Sequence, residues 1–281
     1  MYRYLMWWST FNPSLGHEHH KWFLELFGDR DVTLFSVFPT SKQVRIDDYK
    51  DTLRVSYSGE HYSLDPSNGF DVNLVMERTD LARKIVCCPL FIIGAHVFNY
   101  WARFLARPPR PAHQTRFCAF VVSNGSAEVR KRFFHRLNAA SNGRVESYGQ
   151  VLNNTGTLAP REPEEYFRFL SQFKFVICFE NTARPEYLTE KLCNAYLGGA
   201  VPIYYGATRA REWLNPHAFL DLETEATDEQ MDRLVARVLE LDADDDAYNA
   251  MYAQPLAHAI PEDLRMETIR ALVGKVLAGG A

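Results

Sequence analysis

The sequence has no apolar run long enough to cross a bilayer. Residues 1–8 are apolar and aromatic but far too short, and residues 89–105 are interrupted by Gly94, His96, Asn99 and Arg103, so both are expected inside a folded domain. Cysteine is sparse. The five cysteines, at 87, 88, 118, 178 and 193, include no CxxC pair, which argues against a disulfide framework and for free, mostly buried thiols. Basic charge is not in excess, with 31 Lys and Arg against 35 Asp and Glu and a net charge of -4. That balance gives no electrostatic reason to expect nucleic acid as a partner. The acidic run 242–246 lacks the glycine and distal glutamate of a calcium loop and is expected as a solvated face. No GxSxG elbow, GxxxxGK loop or GxGxxG turn occurs, so hydrolase, P-loop and dinucleotide readings lack their usual support.

What is present points to a globular α/β protein. With 281 residues, 47% hydrophobic and 14% aromatic, the chain can fill one large core or two modest ones, and two are favoured. The first half alternates strand-like runs at 2–8, 32–37, 53–57 and 72–75 with helical patterns at 20–27 and 90–105. The heptapeptide 107–113, RPPRPAH, holds three prolines, which break a helix and favour a stiff extended connection. Beyond it the strand runs 117–122, 173–179 and 201–205 alternate with helices expected at 127–140, 163–172, 189–197, 228–239, 244–253 and 261–277. This pattern predicts a parallel sheet covered on both faces. The expected organisation is an α/β domain over 1–110, a second over 111–258, and a C-terminal helix over 259–281. Ligands of open α/β sheets bind beyond the carboxyl ends of the strands, so the loops after Val122, Phe179 and Tyr205 are the places to search.

The loop after Phe179 crowds together Glu180, Asn181, Tyr187, Thr189, Glu190 and Lys191. Thr189 is placed to cap the next helix, and the N–H groups of a helix start attract anions such as phosphate. Lys191 adds a point charge for the same anion, and Glu190 is suited to accept hydrogen bonds from a ribose diol. An ordinary capped helix with a solvated Glu and Lys explains the same residues equally well. Arg130, in the first turns of the helix over 127–140, suits bidentate phosphate binding. Taken alone, beside Lys131 and Arg132, it reads first as a surface helix residue. His17, His19 and His20 lie in GHEHH, which is not HExxH and lacks its i, i+4 face, so a loop or helix-start cluster is expected there rather than a metal site.

Three segments carry a resemblance. Phe179-Glu180-Asn181-Thr182, Tyr187-Leu188-Thr189-Glu190-Lys191 and the AVPIYYG run at 200–206 resemble the core motif of the α1,3/α1,4-fucosyltransferases, glycosyltransferase family 10. The FCAFVVSN run at 117–124, with Val129-Arg130 and Phe133-Phe134 after it, and YNAMYAQPL at 248–256 are similar to that family's other donor-domain segments. The resemblance implies a GT-B architecture of two facing Rossmann-like domains with parallel sheets. It also implies GDP-β-L-fucose in the second domain, an acceptor sugar approached mainly by the first, and inversion with no required metal or cofactor. Carried onto this sequence, Arg130 and Lys191 neutralise the diphosphate, Glu190 binds the ribose, and Asn181 and Tyr187 contact the donor. Direct displacement needs a base for the acceptor hydroxyl. Tyr57-Ser58-Gly59-Glu60 resembles the family's Gly-Glu element, which makes Glu60 the candidate. The next residues, His61-Tyr62-Ser63, depart from the pattern, and Glu77 competes.

These readings lead to an inverting fucosyltransferase that uses GDP-fucose and a glycan acceptor, with an α1,3 linkage to an N-acetyllactosamine-like sugar as the family default. A transferase of another nucleotide sugar, or a non-catalytic nucleotide- or glycan-binding module, stays open at this level. With no membrane anchor in the sequence, a cytoplasmic bacterial or viral-type enzyme is expected, and a trimmed Golgi luminal catalytic domain is the alternative.

Overall fold

A computed structural model describes residues 1–7, 17–38, 44–222 and 226–279. Trp8, the expected end of the first strand, lies outside the described residues. The chain forms two compact units, Met1–Trp101 with Ile260–Ala281, and Ala102–Ala259. Each is built on its own five-stranded sheet, and every pairing within both sheets is parallel.

In the first unit, strands β1 (Tyr2–Leu5), β2 (Val32–Phe35), β3 (Leu53–Tyr57), β4 (Val72–Val75) and β5 (Ile85–Cys87) lie side by side in chain order. Every residue of β2 and β4 is buried, as expected of short apolar runs in a parallel sheet with both faces covered. Helix α1 (Glu18–Phe27) buries Trp22, Phe23, Leu26 and Phe27 along one stripe. The single helix expected over 90–105 is instead two, α2 (Phe91–Val97) and α3 (Tyr100–Leu105). The break is local: Asn99 takes a left-handed φ of 54°, which ends a right-handed helix, and asparagine tolerates that conformation better than most residues.

The second unit contains β6 (Arg116–Phe120), α4 (Glu128–Ala140), β7 (Val145–Ser147), α5 (Pro163–Leu170), β8 (Phe173–Ile177), α6 (Glu190–Leu197) and β9 (Val201–Tyr204). It continues through α7 (Ala210–Trp213), β10 (Leu220–Asp221), α8 (Asp228–Ala243) and α9 (Asp245–Tyr252). Its sheet runs β10-β9-β8-β6-β7, so the strand order reverses between β6 and β8. All five residues of central β8 are buried, and Phe120, Phe133, Phe175, Ile177, Val201 and Ile203 share one apolar core. Helix α8 starts with a capping box in which Thr227 and Gln230 satisfy each other's backbone N–H groups.

The final helix, α10 (Met266–Leu277), belongs to the first unit and packs on β4 and β5. Two contacts tie that C-terminal segment down: His96 Nε2 lies 2.8 Å from the Leu264 carbonyl, and the Arg270 guanidinium donates to the Glu25 carbonyl at 3.0 Å.

One local expectation is corrected. Asp242 is not part of a solvated face: its side chain is 13% exposed, and it accepts from Lys174 at 2.9 Å and Arg144 at 2.7 Å. A buried lysine needs such a partner, which the acidic run supplies. The segment 107–113 carries no helix, as expected, and is also anchored. The Arg107 guanidinium lies over the rings of Tyr196 and Tyr252, 4.2 and 4.0 Å from their centroids, and donates to the Ala200 carbonyl at 2.5 Å, anchoring the segment within the second unit. All five cysteines are buried thiols outside any disulfide, as the sparse set suggested. Among the described residues no helix is long and apolar enough to cross a membrane.

Candidate functional site

Beyond the carboxyl ends of β6 and β8, where the sheet order reverses, lies a cavity of about 470 Å³. Open α/β sheets bind ligands at such a reversal. Arg130 from α4, Asn181 from the loop after β8, and Glu190 and Lys191 from α6 all line it. Four of the five residues read from the sequence as donor contacts therefore converge on one cavity. Tyr187, the fifth, is only 1% exposed and is not part of the cavity wall. It stands behind the wall, close enough for its phenol to bear electrostatically on Arg130 and Lys191.

Arg130 is buried, at 3% exposure, which removes the surface-residue alternative. Its Nε donates to the Phe179 carbonyl at 2.9 Å and Nη1 reaches the Asn124 carbonyl at 3.5 Å. One side chain thus ties the loop after β6 to the end of β8. Nη2 is buried with no hydrogen-bond partner. An unmet charged donor is costly, and the guanidinium that carries it belongs to a residue lining the cavity, where an anion is the matching ligand. Burial lowers the guanidinium's pKa, and the charge of Glu180 works the other way.

The loop 180–191 is organised around Glu180, to which sequence reasoning gave no role. Its carboxylate is fully buried. It accepts from the Thr189 N–H at 2.8 Å, from the Thr189 hydroxyl at 2.7 and 2.8 Å, and from Lys191 Nζ at 3.0 Å. Lys191 Nζ also donates to the Thr189 hydroxyl at 2.8 Å. Burial pushes the Glu180 carboxyl above its ordinary range, and the charge of Lys191 opposes that shift. Burial would pull the Lys191 ammonium down, but Glu180 and Glu190 together hold it above the usual lysine value. Thr189 occupies the N-cap position of α6 yet makes no side-chain cap bond, because its hydroxyl is committed to Glu180. Neither Thr189 nor Lys191 is therefore the ordinary capped and solvated pair that the sequence alone allowed. Glu190 keeps a side chain 49% exposed, 3.7 Å from Lys191.

Room for Glu180 depends on Gly206. A Cβ at that position would come within 2.4 Å of Glu180 Cγ and 2.5 Å of Tyr204 Oη. Gly206→Ala is expected to cost about 1–3 kcal/mol, typical of overpacking a well-filled core, seen as a lower melting temperature. An unchanged melting temperature would mean that Glu180 yields without strain.

Glu60 belongs to the first unit and follows β3. Its backbone N–H donates to Ser58 Oγ at 3.1 Å, and Ser58 in turn donates to the Tyr62 carbonyl at 2.5 Å, which fixes the turn that carries it. Glu77, after β4, accepts from Ser63 Oγ at 3.0 Å and lies 3.8 Å from Arg83. His17 caps α1, so the histidine cluster does sit at a helix start. His19 Nε2 lies 3.2 Å from the Tyr57 hydroxyl, and burial, with His17 beside it, pushes its pKa down to about 3. His17, Glu18 and His19 bring one ligand-type atom each within 4.8 Å of one another. His20 pairs instead with the Tyr4 hydroxyl at 2.6 Å.

Arg161, Tyr166 and Asn194 also line the cavity and were missed in the sequence. Asn194 was readable in principle, since it sits four residues after Glu190 on α6 and so shares its face. Arg161 and Tyr166 come from the approach to α5 and from α5 itself, and no local pattern marks them.

The fold is that of a GT-B glycosyltransferase. A crystal structure of an α1,3-fucosyltransferase superposes with a TM-score of 0.76 at 22% identity, covering 99% of this chain and 89% of that one. A crystal structure of an α1,3-fucosyltransferase with GDP-fucose gives a TM-score of 0.71 at 20% identity, over 98% of this chain and 89% of that one. The chain belongs to glycosyltransferase family 10 (fucosyltransferase), whose C-terminal model matches residues 111–260. The α-(1,3)-fucosyltransferase FucT of Helicobacter pylori is 28% identical over 216 residues, 66% of this chain and 44% of that protein. GDP-fucose protein O-fucosyltransferase 3 of Bos taurus is 31% identical over 132 residues, 45% of this chain and 27% of that protein. The chain thus spans less than half the length of both curated relatives.

Proposed function

We propose that this chain is an inverting fucosyltransferase that moves L-fucose from GDP-β-L-fucose to a hydroxyl of a glycan acceptor, with residues 111–258 holding the donor and 1–110 the acceptor. The observation that carries the donor half is the cavity at the β6/β8 reversal, which both cationic side chains of the motif, Arg130 and Lys191, line. In this reading both cations contact the diphosphate, and Glu190, half exposed beside Lys191, accepts from the ribose hydroxyls. Asn181 contacts the donor directly, while Tyr187, behind the wall, acts through the charges it neighbours.

The chemistry follows from charge movement. The acceptor oxygen attacks the anomeric carbon, the bond to the β-phosphate oxygen breaks, and the electron pair leaves with GDP. Negative charge grows on that phosphate, where preorganised donors stabilise it most. Glu60 takes the acceptor proton as the new bond forms. Attack opposite the leaving group inverts the β-configured donor to an α-linked product.

The relatives support fucose as the transferred sugar, and their names divide over the acceptor. One is an α-(1,3)-fucosyltransferase and the other a protein O-fucosyltransferase. The reading preferred here, an α1,3 linkage to an N-acetyllactosamine-like sugar, rests on the relative that matches more of the chain. Transfer assays should show turnover of GDP-fucose well above that of GDP-mannose or UDP-sugars, with linkage analysis of a glycan product. Equal use of GDP-mannose would overturn the donor assignment, and labelling of a polypeptide with no glycan product would overturn the acceptor assignment.

A further inference from the structure

We propose that Glu180 is a positioning residue: from outside the cavity it fixes the Lys191 ammonium so that a single N–H is left for the departing diphosphate. The inference rests on the donor reading above and adds to it a residue that never touches the ligand. Glu180 is fully buried and forms no part of the cavity wall.

Lysine is a flexible point charge with three equivalent donors. On its own it would follow an anion through many geometries. Here two of the three donors are committed, one to Glu180 Oε2 at 3.0 Å and one to Thr189 Oγ1 at 2.8 Å. Glu180 is itself held in the main-chain frame by the Thr189 N–H at 2.8 Å, and its own N–H donates to the Tyr205 carbonyl at 2.7 Å. The ammonium is thereby held between two fixed acceptors. The third is the donor left for the cavity that Lys191 lines, where Glu190 Oε1 lies 3.7 Å from the ammonium, beyond hydrogen-bond distance.

The arrangement makes little sense for binding alone. A carboxylate beside the phosphate subsite cancels one of its positive charges and lowers the attraction for a diphosphate in the ground state. What it gains is orientation, and an oriented donor matters most when charge grows on the leaving group. Removing the negative charge should therefore separate the two quantities. Binding should hold or improve while the chemical step slows.

The test is Glu180→Gln, measured as GDP affinity by calorimetry and as kcat and KM for GDP-fucose transfer. The expected result is GDP binding equal to or tighter than wild type, with kcat lower by about 10- to 100-fold, less than the roughly 10²–10³ of a donor removed outright, because Lys191 is still present but no longer held. In a double-mutant cycle, Glu180→Gln in a Lys191→Met background should cost nothing further, because the effect runs through Lys191. Thr189→Val, which removes the shared hydroxyl, should shift kcat in the same direction, and Thr189→Ser should restore it. If Glu180→Gln fails to fold, the two Thr189 variants carry the test. Loss of GDP affinity in step with kcat would indicate a collapsed pocket and overturn the proposal. Unchanged kcat, or full multiplication of the Glu180 and Lys191 effects, would overturn it as well. Wild-type protein that binds GDP but transfers no fucose would sink the donor reading and this proposal together. Wild-type transfer with unaffected variants would sink this proposal alone.

Discussion

Glu60→Gln should abolish fucose transfer while leaving GDP affinity at the wild-type value. A positioned general base contributes about 10²–10⁴ in rate, and glutamine keeps the shape of glutamate but cannot take a proton. The GDP control is informative because Glu60 lies in the first unit, whereas every residue lining the cavity belongs to the second. Glu77→Gln supplies the contrast. Its carboxylate already accepts from Ser63 Oγ at 3.0 Å and lies 3.8 Å from Arg83, so its loss should change kcat by less than about threefold, in the range of a surface ion pair. Transfer at wild-type rates by Glu60→Gln, or the larger loss from Glu77→Gln, would reassign the base.

The second large effect is expected at Arg130. Arg130→Ala removes the donor on Nη2 and also the ties to the Phe179 and Asn124 carbonyls. Loss of a preorganised donor to developing phosphate charge should lower kcat/KM by about 10²–10³. GDP affinity should fall as well, by more than the fraction of a kcal/mol that a surface ion pair is worth. Arg130→Lys should not restore it, because one ammonium cannot span two carbonyls and still reach a phosphate as a planar fork does. Calorimetry showing wild-type GDP affinity for Arg130→Ala would remove Arg130 from the diphosphate site.

The parts of the fold that could be read in advance were those with long, strongly patterned segments. β6, β8 and β9 are buried apolar runs followed by clear helical patterns, so the parallel sheet of the second unit and its ligand-bearing loops were expected. Strands β5, β7 and β10 have three, three and two residues, too few for any periodicity, and they exist because neighbouring strands offer them backbone partners. The break at Asn99 was hidden because polar residues interrupt the run 89–105 at several positions, and nothing in the sequence marks Asn99 among them as the one with a left-handed φ. At the site, Arg130, Asn181, Glu190 and Lys191 could be named because strand ends and a family motif marked them. Glu180 stood in that same motif unassigned, since nothing in a sequence says that a carboxylate will face inward onto a threonine and a lysine. The choice of fucose over other sugars came from the resemblance, not from composition or spacing.

The discontinuous make-up of the first unit bears on how the protein is made. Residues 102–259 form a contiguous unit and can fold as soon as they leave the ribosome, as domains generally do during synthesis. The first unit has to wait, although its sheet is translated earlier. Its faces at β4 and β5 stay uncovered until α10 arrives to pack on them, after the whole of the other unit has been synthesised. Of the two units, the one whose sheet emerges earlier is therefore the one completed later, and in that interval its nascent sheet exposes apolar surface that invites misassociation.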